Sequence, residues 1–381
     1  MFSGKQDRKK SNFLMRIAFD HHAFLLQSYG GISRYYARLA QNLIDMEQRV
    51  HIFAPLHRNR HLSVLPSTNV TGRYVQWLPP IAIRLAFAYN QLQSRSQISQ
   101  WKPDLLHETY YSRGCIAPQR CPAVITVYDM IHELFPVAFS KRDQTAVVKR
   151  IATRRASHII CISENTKQDL MCLHDISAEK ITVIHLGFDE FAQPDATERL
   201  VAITNKPFLL YVGQRRRYKN FDGFIKAVAK SKRLMADFNI VAFGGPTFSA
   251  REFNLMSSLG FDHGQVQHKS GSDGLLGSYY RAARAFVFPS LYEGFGIPPL
   301  EAMAHNCPVV SSNSSSMPEI IGEAAEYFNP AEADDMLRAI ESVVYSDYRI
   351  ECLRKSGTAR LSEFSWAKCS RKTLNVYRSL S

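Results

Sequence analysis

Two glutamates in one short segment are the residues of this chain best suited to chemistry on a sugar or a nucleotide. Glu293 and Glu301 are separated by seven residues in the segment PSLYEGFGIPPLE, which directly follows the apolar run AFVF at 285–288. Carboxylates accept hydrogen bonds from hydroxyl groups, so two of them close together can hold a sugar and a ribose. The spacing therefore predicts a site for a ligand that contains both.

The same segment predicts the elements that position these acids. The apolar run is typical of a buried parallel strand, Gly294 and Gly296 permit a tight turn, and Pro298 and Pro299 fit the first turn of a helix. Glu293 would then lie in a loop and Glu301 in the first turn of that helix. Such loops bind ligands in open α/β folds, and a helix amino terminus favours phosphate. A purely structural alternative is that Glu293 caps the helix.

A second segment, YVGQRRRYKNF at 211–221, has the composition of a diphosphate site. Four of the five positions from 215 to 219 are Lys or Arg, and they follow an apolar run and Gly213. These cations repel one another unless an anion lies between them, and a diphosphate linked to a sugar is such an anion. A solvated run of charges is the alternative interpretation.

A glycine pair, Gly30 and Gly31, follows the first predicted strand and precedes a predicted helix over 33–46. Glycines there let the backbone approach a ligand, and their N–H groups lie at the start of the helix. The pair does not form Gly-x-Gly-x-x-Gly, which argues against a dinucleotide dehydrogenase.

These motifs resemble glycosyltransferase family 4, the retaining transferases whose signature is a Glu, seven residues and a Glu. The similarity continues through HNCPVV at 305–310 and SSSMPEIIGE at 314–323. The resemblance implies an α/β protein of the GT-B fold, with two doubly wound, Rossmann-like domains facing across a cleft. It also implies a nucleotide-sugar donor, held mainly by the second domain.

By the same resemblance, Glu293 orients the transferred sugar, Glu301 binds the ribose, and Arg215 and Lys219 contact the diphosphate. Many members have His-Asp where this chain has Tyr128-Asp129, which leaves open whether Tyr128 or His132 contacts the sugar. The catalytic set predicted in this way is Glu293, Arg215, Lys219, Tyr128 and His132. The predicted donor-binding set is Gly30, Gly31, Gly213, Arg215, Lys219, Gly294, Phe295, Gly296 and Glu301.

The domain organisation follows from the alternation of apolar runs with helical segments. At 381 residues the chain exceeds what one hydrophobic core usually supports. We predict an acceptor-side domain at 1–190, a linker within 189–204, and a nucleotide-sugar-binding domain at 205–364. In the resembling family a last helix, here 365–381, crosses back to the first domain.

Composition restricts the partners and the compartment. The net charge of +13 suits anionic partners, but no nucleic-acid-binding motif is present, so we exclude nucleic acid. No apolar run reaches the ~20 residues that span a bilayer, and the first ten residues lack the apolar core of a signal peptide. The sequence therefore predicts a cytoplasmic protein, with peripheral contact at the inner face of the membrane left open. The seven cysteines include no Cys-x-x-Cys pair, which predicts reduced and mostly buried thiols.

A cluster of cations around a predicted helix at 141–155 is the segment that suggests membrane contact. Lys or Arg occupies positions 141, 142, 149, 150, 154 and 155. Such a helix can rest on an anionic membrane or meet a phosphate-bearing acceptor, and a solvated face is the alternative.

The sequence predicts a retaining hexosyltransferase, with mannose from GDP-mannose favoured, acting on a glycan or lipid-linked acceptor in lipopolysaccharide, O-antigen or capsule synthesis. The chain contains no Asp-x-Asp pair, so we expect neither a metal nor a cofactor besides the donor. Two alternatives stay open: a GT-B-fold epimerase or phosphorylase, and a non-catalytic partner subunit.

Overall fold

A computed structural model describes residues 14–188 and 206–381 of the chain. The predicted linker within 189–204 and the first residues of the chain lie outside the described residues. By contact density the chain divides into two compact units. The first unit holds the described residues up to Thr126, with Ile151–Ile159 and Ser370–Ser381; the second holds Val127–Arg150 and the described part of Ile160–Cys369.

Seven strands of the described residues form the first sheet, in the order β3-β2-β1-β4-β5-β6-β7. The strand pairs β1–β2, β1–β4, β2–β3 and β4–β5 are all parallel. The strands are β1 (Arg16–Phe19), β2 (Arg49–His57), β3 (Val70–Tyr74), β4 (Leu105–Glu108), β5 (Ala123–Val127), β6 (His158–Cys161) and β7 (Ile181–Val183). The helices are α1 (His22–Leu26), α2 (Gly31–Asp45), α3 (Pro80–Trp101), α4 (Ile131–Leu134), α5 (Thr145–Arg155) and α6 (Glu164–His174).

The second sheet has six strands in the described residues, in the order β10-β9-β8-β11-β12-β13. Its strands are β8 (Phe208–Val212), β9 (Asn239–Phe243), β10 (Val266–Lys269), β11 (Ala285–Phe288), β12 (Val309–Ser312) and β13 (Ala325–Phe328), all paired in parallel. The helices are α7 (Phe221–Ala229), α8 (Lys232–Asp237), α9 (Ala250–Ser258), α10 (Asp273–Ala282), α11 (Ile297–Ala304), α12 (Met317–Ile321), α13 (Ala333–Val344), α14 (Asp347–Leu361) and α15 (Trp366–Leu380).

The core of the second sheet shows why its central strands β8 and β11 are apolar at every position. Along β8, Leu209 and Tyr211 belong to one hydrophobic cluster, whereas Phe208, Leu210 and Val212 belong to another. Successive side chains of a strand point to opposite faces, so both faces of this sheet are buried. This is the doubly wound arrangement that the sequence predicts.

Predicted elements and observed elements agree to within a few residues at their ends. The helix predicted over 33–46 begins at Gly31 and ends at Asp45, and the strand predicted over 208–212 has those bounds. None of the seven cysteines, all in the described residues, forms a disulfide; Cys161, Cys307 and Cys369 are buried, whereas Cys172 is exposed. In the described part of the chain, no helix combines the length and apolar character needed to cross a membrane.

Candidate active site

The strand order of the second sheet creates the crevice in which its functional side chains lie. The chain moves from β8 outward to β9 and β10, then returns to β11 on the other side of β8. The loops that follow the adjacent strands β8 and β11 therefore lead to opposite sides, which leaves a crevice between them. Open α/β sheets bind ligands at such a point, where the strand order reverses. Lys219 is in the first loop and Glu293 in the second, and the Lys219 Nζ atom lies 2.5 Å from Glu293 Oε1. The sequence predicts both residues for the site, and the fold pairs them.

The Glu293 loop is held from both sides by hydrogen bonds. The backbone N–H of Glu293 donates to Ser315 Oγ at 2.9 Å, and Ser316 Oγ donates to the Glu293 carbonyl at 2.9 Å. The residue is only 8% exposed. Glu293 therefore has little positional freedom, and its carboxylate is paired with Lys219.

Two glycines shape this loop, as the sequence predicts. A Cβ atom at Gly294 would lie 1.8 Å from the carbonyl oxygen of Tyr128, so only glycine allows the two backbones to approach. Gly296 has φ of 102° and precedes α11. Phe295, between them, has a buried side chain, so only its backbone can contact a bound nucleotide sugar.

The start of α11 corrects the predicted position of Glu301. The helix begins at Ile297, and Pro298 and Pro299 lie in its first turn. Glu301 is therefore in the second turn and not in the first, because the positive φ of Gly296 starts the helix before the prolines. Tyr280 donates its hydroxyl to Glu301 Oε2 at 3.2 Å. Burial, and then the nearby Glu301 carboxylate, raise the pKa of the Tyr280 phenol well above its usual value.

Arg215 is held by a partner that the sequence did not predict. Its Nε atom lies 2.6 Å from Glu252 Oε1, and its other donors reach the carbonyl oxygens of Gly244 at 3.3 Å and Pro246 at 2.5 Å. Its guanidinium also lies 4.6 Å from the ring centre of Phe248. The Arg215 side chain is 3% exposed, so it fixes the 244–252 segment as well as carrying charge.

We expect Arg215→Ala to lower both the melting temperature and kcat/KM for sugar transfer, the latter by about 100-fold. Glu252→Gln keeps the shape of the partner but removes its charge, so it should lower the melting temperature while retaining most of the activity. Thermal unfolding and transfer kinetics of both variants give the comparison. Equal losses of activity in the two variants would mean that Arg215 acts only through the 244–252 segment.

Tyr128 and His132 lie on a segment that packs beside the paired residues. Ile131 forms an apolar cluster with Tyr218 and Tyr292, which precede Lys219 and Glu293 in the sequence. His132 lines a surface cavity of about 560 Å³, whose other lining residues all lie within positions 136–146. There it stacks on Phe139 with ring centres 3.9 Å apart. The structure thus brings the Tyr128 backbone to the Glu293 loop and places the His132 ring against Phe139.

Lys149 fixes this segment and is not a surface cation. It is fully buried, and its Nζ donates to Glu133 Oε2 at 2.8 Å and to the carbonyl of Asp129 at 2.7 Å. Burial alone would raise the pKa of Glu133, but His174 and Lys149 lower it to about 2. Arg155 is paired with Glu108 at 2.5 Å. Two of the six cations predicted to form a basic surface at 141–155 are therefore neutralised, because each belongs to a hydrogen-bonded ion pair.

Gly30 and Gly31 belong to the first unit and begin α2, as predicted. Gly31 is the first helical residue and Gly30 is its N-cap. The Gln27 side chain accepts a hydrogen bond from the Ser33 N–H at 3.0 Å. A side-chain amide thereby satisfies one of the helix's free donors, while Gly31 faces open space.

Several residues that support the site were not predicted from the sequence. Tyr292 donates its hydroxyl to Asp169 at 2.5 Å, across 123 residues of sequence. Glu319 accepts hydrogen bonds from the N–H groups of Glu164 at 2.8 Å and Asn165 at 3.3 Å, at the start of α6. Ser163 is the N-cap of that helix, and its side chain accepts from the N–H of Thr166. Glu319 belongs to the PEIIG segment that carries the family resemblance. Only the fold shows that its carboxylate caps another helix.

In residues 14–188 and 206–381, no group of three or more His, Cys, Asp or Glu side chains is arranged to hold a metal ion. The Lys219–Glu293 pair presents a cation and a carboxylate side by side, which suits a ligand with both anionic and hydroxyl groups.

Two family models match adjoining parts of the chain. The model of Glycosyltransferase Family 4 matches residues 29–190, and the model of Glycosyl transferases group 1 matches residues 193–358. The second match includes Lys219, Glu293 and Glu301, and the first includes Gly30 and Gly31.

Curated relatives and solved structures agree with these matches. The chain is 25% identical over 306 residues to O-antigen chain mannosyltransferase B of Escherichia coli, covering 77% of this chain and 80% of that protein. It is 28% identical to O-antigen chain mannosyltransferase RfbU of Salmonella typhimurium, covering 58% and 60%. Sucrose-phosphate synthase from Thermosynechococcus elongatus shares the fold with a TM-score of 0.74, 21% identity, and coverage of 96% and 99%. Anabaena HepE in complex with UDP and glucose gives a TM-score of 0.70 at 19% identity, with coverage of 96% and 100%.

Proposed function

The chain belongs to the group 1 glycosyltransferases of family 4, and from this premise we propose that it is a retaining hexosyltransferase of O-antigen or lipopolysaccharide synthesis, with mannose as the transferred sugar. The observation that carries the proposal is the Lys219–Glu293 pair, at 2.5 Å, where the strand order of the second sheet reverses. Lys219 supplies a cation for a leaving diphosphate, and Glu293, next to it, supplies a carboxylate for a sugar hydroxyl. Mannose is favoured because both curated relatives described above are named mannosyltransferases.

The reaction assigns different work to the two members of the pair. When the bond between the anomeric carbon and the diphosphate breaks, negative charge develops on the phosphate and positive charge on the sugar ring. Lys219 lies where it can exchange Glu293 for the diphosphate, and its charge then stabilises the leaving group. Glu293, released from the lysine, is held by Ser315 and Ser316 in position to orient the sugar. The acceptor oxygen bonds to the anomeric carbon as the bond to the diphosphate breaks, and the acceptor proton passes to the departing diphosphate.

GDP-mannose is the donor that we propose, and no further cofactor is needed. The solved structure of Anabaena HepE contains UDP and glucose, so UDP is the alternative nucleotide that a measurement has to compare with GDP. In the proposed site Glu301 receives the ribose hydroxyls. Arg215, Lys219 and the backbone of Gly213, Gly294 and Gly296 receive the diphosphate.

A panel of nucleotides and nucleotide sugars tests this proposal. We expect GDP and GDP-mannose to raise the melting temperature more than UDP or ADP, and we expect slow hydrolysis of GDP-mannose without acceptor. Lys219→Ala should lose the shift. If no nucleotide diphosphate stabilises the protein, the chain is not a nucleotide-sugar transferase. Absorbance of a bound pyridoxal group would instead identify a phosphorylase.

We also expect transfer to survive excess EDTA after metal removal, because Lys219 and Arg215 supply the positive charge that a divalent ion supplies in other nucleotide-sugar enzymes. The measurement is the initial rate before and after chelation, with Mg²⁺ and Mn²⁺ added back separately. A rate that is abolished by EDTA and restored by either ion would show that a metal takes part.

The acceptor that we propose is a glycan or a lipid-linked glycan. A lipid-linked acceptor would bring the enzyme into peripheral contact with the inner face of the cell membrane. The 141–155 segment supplies fewer free cations for that contact than its sequence suggests, since Lys149 and Arg155 are paired.

A further inference from the structure

Helix α3 of the first unit exposes large apolar side chains along one face. Ile81 is 79% exposed, Leu85 69% and Leu92 72%, and Trp77, just before the helix, is 73% exposed. Tyr89, at 47%, lies between them. Positions 81, 85, 89 and 92 follow the three- and four-residue spacing that places side chains on one face of a helix. We call these four helical residues and Trp77 the α3 face.

The opposite side of α3 explains how the helix is held without this face. Asn90 both accepts from the Leu56 N–H and donates to the Leu56 carbonyl, each at 2.8 Å. Ser94 Oγ donates to the Phe53 carbonyl at 3.1 Å. Phe53 and Leu56 flank the point where the register between β2 and β3 shifts. The buried side of α3 therefore combines these polar groups with Ala86 and Ile98, and the α3 face is left exposed.

The charge of the chain segment that contains α3 is entirely positive. From residue 48 to residue 103 the chain contains no Asp or Glu, and it contains seven Lys or Arg residues. Arg84 and Arg95 are exposed on α3 itself, beside the apolar positions, and Arg73 is exposed on β3. An apolar stripe flanked by cations, on a segment without acids, matches the surface of a bilayer that contains anionic lipids.

We propose that the α3 face docks on the surface of an anionic lipid bilayer, with Trp77, Leu85 and Leu92 inserted among the lipids and the arginines on the phosphates. A second copy of the chain fits this face poorly, because two such faces would bring arginines together with no acid to pair them. Apolar patches of this kind on soluble surfaces usually mark an interaction site.

Docking on a membrane would bring the protein to a lipid-linked acceptor, and this use of the α3 face rests on the proposed function. Binding to vesicles, however, is measured without donor, acceptor or turnover. Loss of transfer with intact vesicle binding would contradict only the proposed function, and intact transfer to a water-soluble acceptor without vesicle binding would contradict only the docking.

The experiment compares two pairs of variants of the full chain in flotation with vesicles. Leu85→Ser with Leu92→Ser removes apolar groups from the α3 face, and Arg84→Gln with Arg95→Gln removes its charge. Their matched controls are Val137→Ser, at a side chain that is 80% exposed in the second unit, and Lys141→Gln with Arg142→Gln, at exposed cations there. The vesicles are phosphatidylcholine, with or without phosphatidylglycerol.

We expect the unchanged protein to float with vesicles that contain phosphatidylglycerol and not with phosphatidylcholine alone. Each α3 double variant should partition at least about 10-fold more weakly, while the controls bind as the unchanged protein does. Unchanged melting temperatures would show that all variants fold. Binding that is lost in Lys141→Gln with Arg142→Gln, and kept in the α3 variants, would overturn the proposal in favour of the 141–155 segment. A dimer that dissociates in Leu85→Ser with Leu92→Ser would overturn it in favour of a second copy.

Discussion

Replacing Lys219 by alanine should lower kcat/KM for sugar transfer by about 100-fold or more, because it removes a charge-assisted contact to the leaving diphosphate. The structure sharpens this expectation. Lys219 is the direct partner of Glu293, and the Glu293 side chain is 10% exposed. Its loss would leave a nearly buried carboxylate without its cation, in the place where the anionic donor must bind. Donor binding and catalysis should therefore both weaken.

The control for Lys219→Ala is Lys226→Ala, which removes an exposed lysine from α7, the helix that follows the same loop. Lys226→Ala should leave transfer within about twofold of the unchanged protein, since surface charges at a distance contribute little. Steady-state kinetics and calorimetric titration of GDP on both variants separate catalysis from binding. Near-normal turnover in Lys219→Ala would remove the basis for the donor site.

The fold could be predicted because its strands are buried on both faces. Strands such as β8 and β11 are apolar at every position, and glycine or proline follows each of them. Parallel strands end at a common edge, so the loops after the neighbouring strands β8 and β11 lie close together. The family resemblance assigns Lys219 and Glu293 to one site, and the strand order is what brings the two side chains into contact.

The unpredicted contacts depend on registers and caps that short motifs do not encode. Arg215 meets Glu252 because β8 and β9 are neighbours and because Glu252 forms the capping box of α9 with Ser249. The sequence predicts Glu301 one turn too early, because Pro298 and Pro299 are typical of a helix start. The helix instead begins at Ile297, directly after Gly296. The α3 face is hidden in the sequence because two of the buried positions of α3, Asn90 and Ser94, are polar, contrary to the usual pattern.

Glu293 and Glu301 should fail in different ways when they are changed. Glu301→Ala should raise KM for the donor by about 10-fold or more, because a ribose contact is present equally in the ground state and in the transition state. Glu293→Gln should instead lower kcat by about 100-fold, since its charge matters as the anomeric carbon becomes positive. The glutamine keeps the size of the side chain and its backbone bonds to Ser315 and Ser316.

Titration of GDP alone distinguishes these roles most sharply. Glu293→Gln removes the anion that occupies Lys219, so the variant should bind GDP as tightly as the unchanged protein or more tightly. Glu301→Ala should bind it more weakly. Glu323→Gln, at an exposed acid of the second unit, is the matched control and should change neither kcat nor GDP affinity. If Glu293→Gln loses GDP affinity as much as Glu301→Ala does, Glu293 shapes the nucleotide site rather than orienting the sugar. A normal rate in both variants would show that Glu293 is structural, and that its backbone contacts with Ser315 and Ser316 are its main contribution. It does not cap α11, whose N-cap is Gly296 without a side-chain cap.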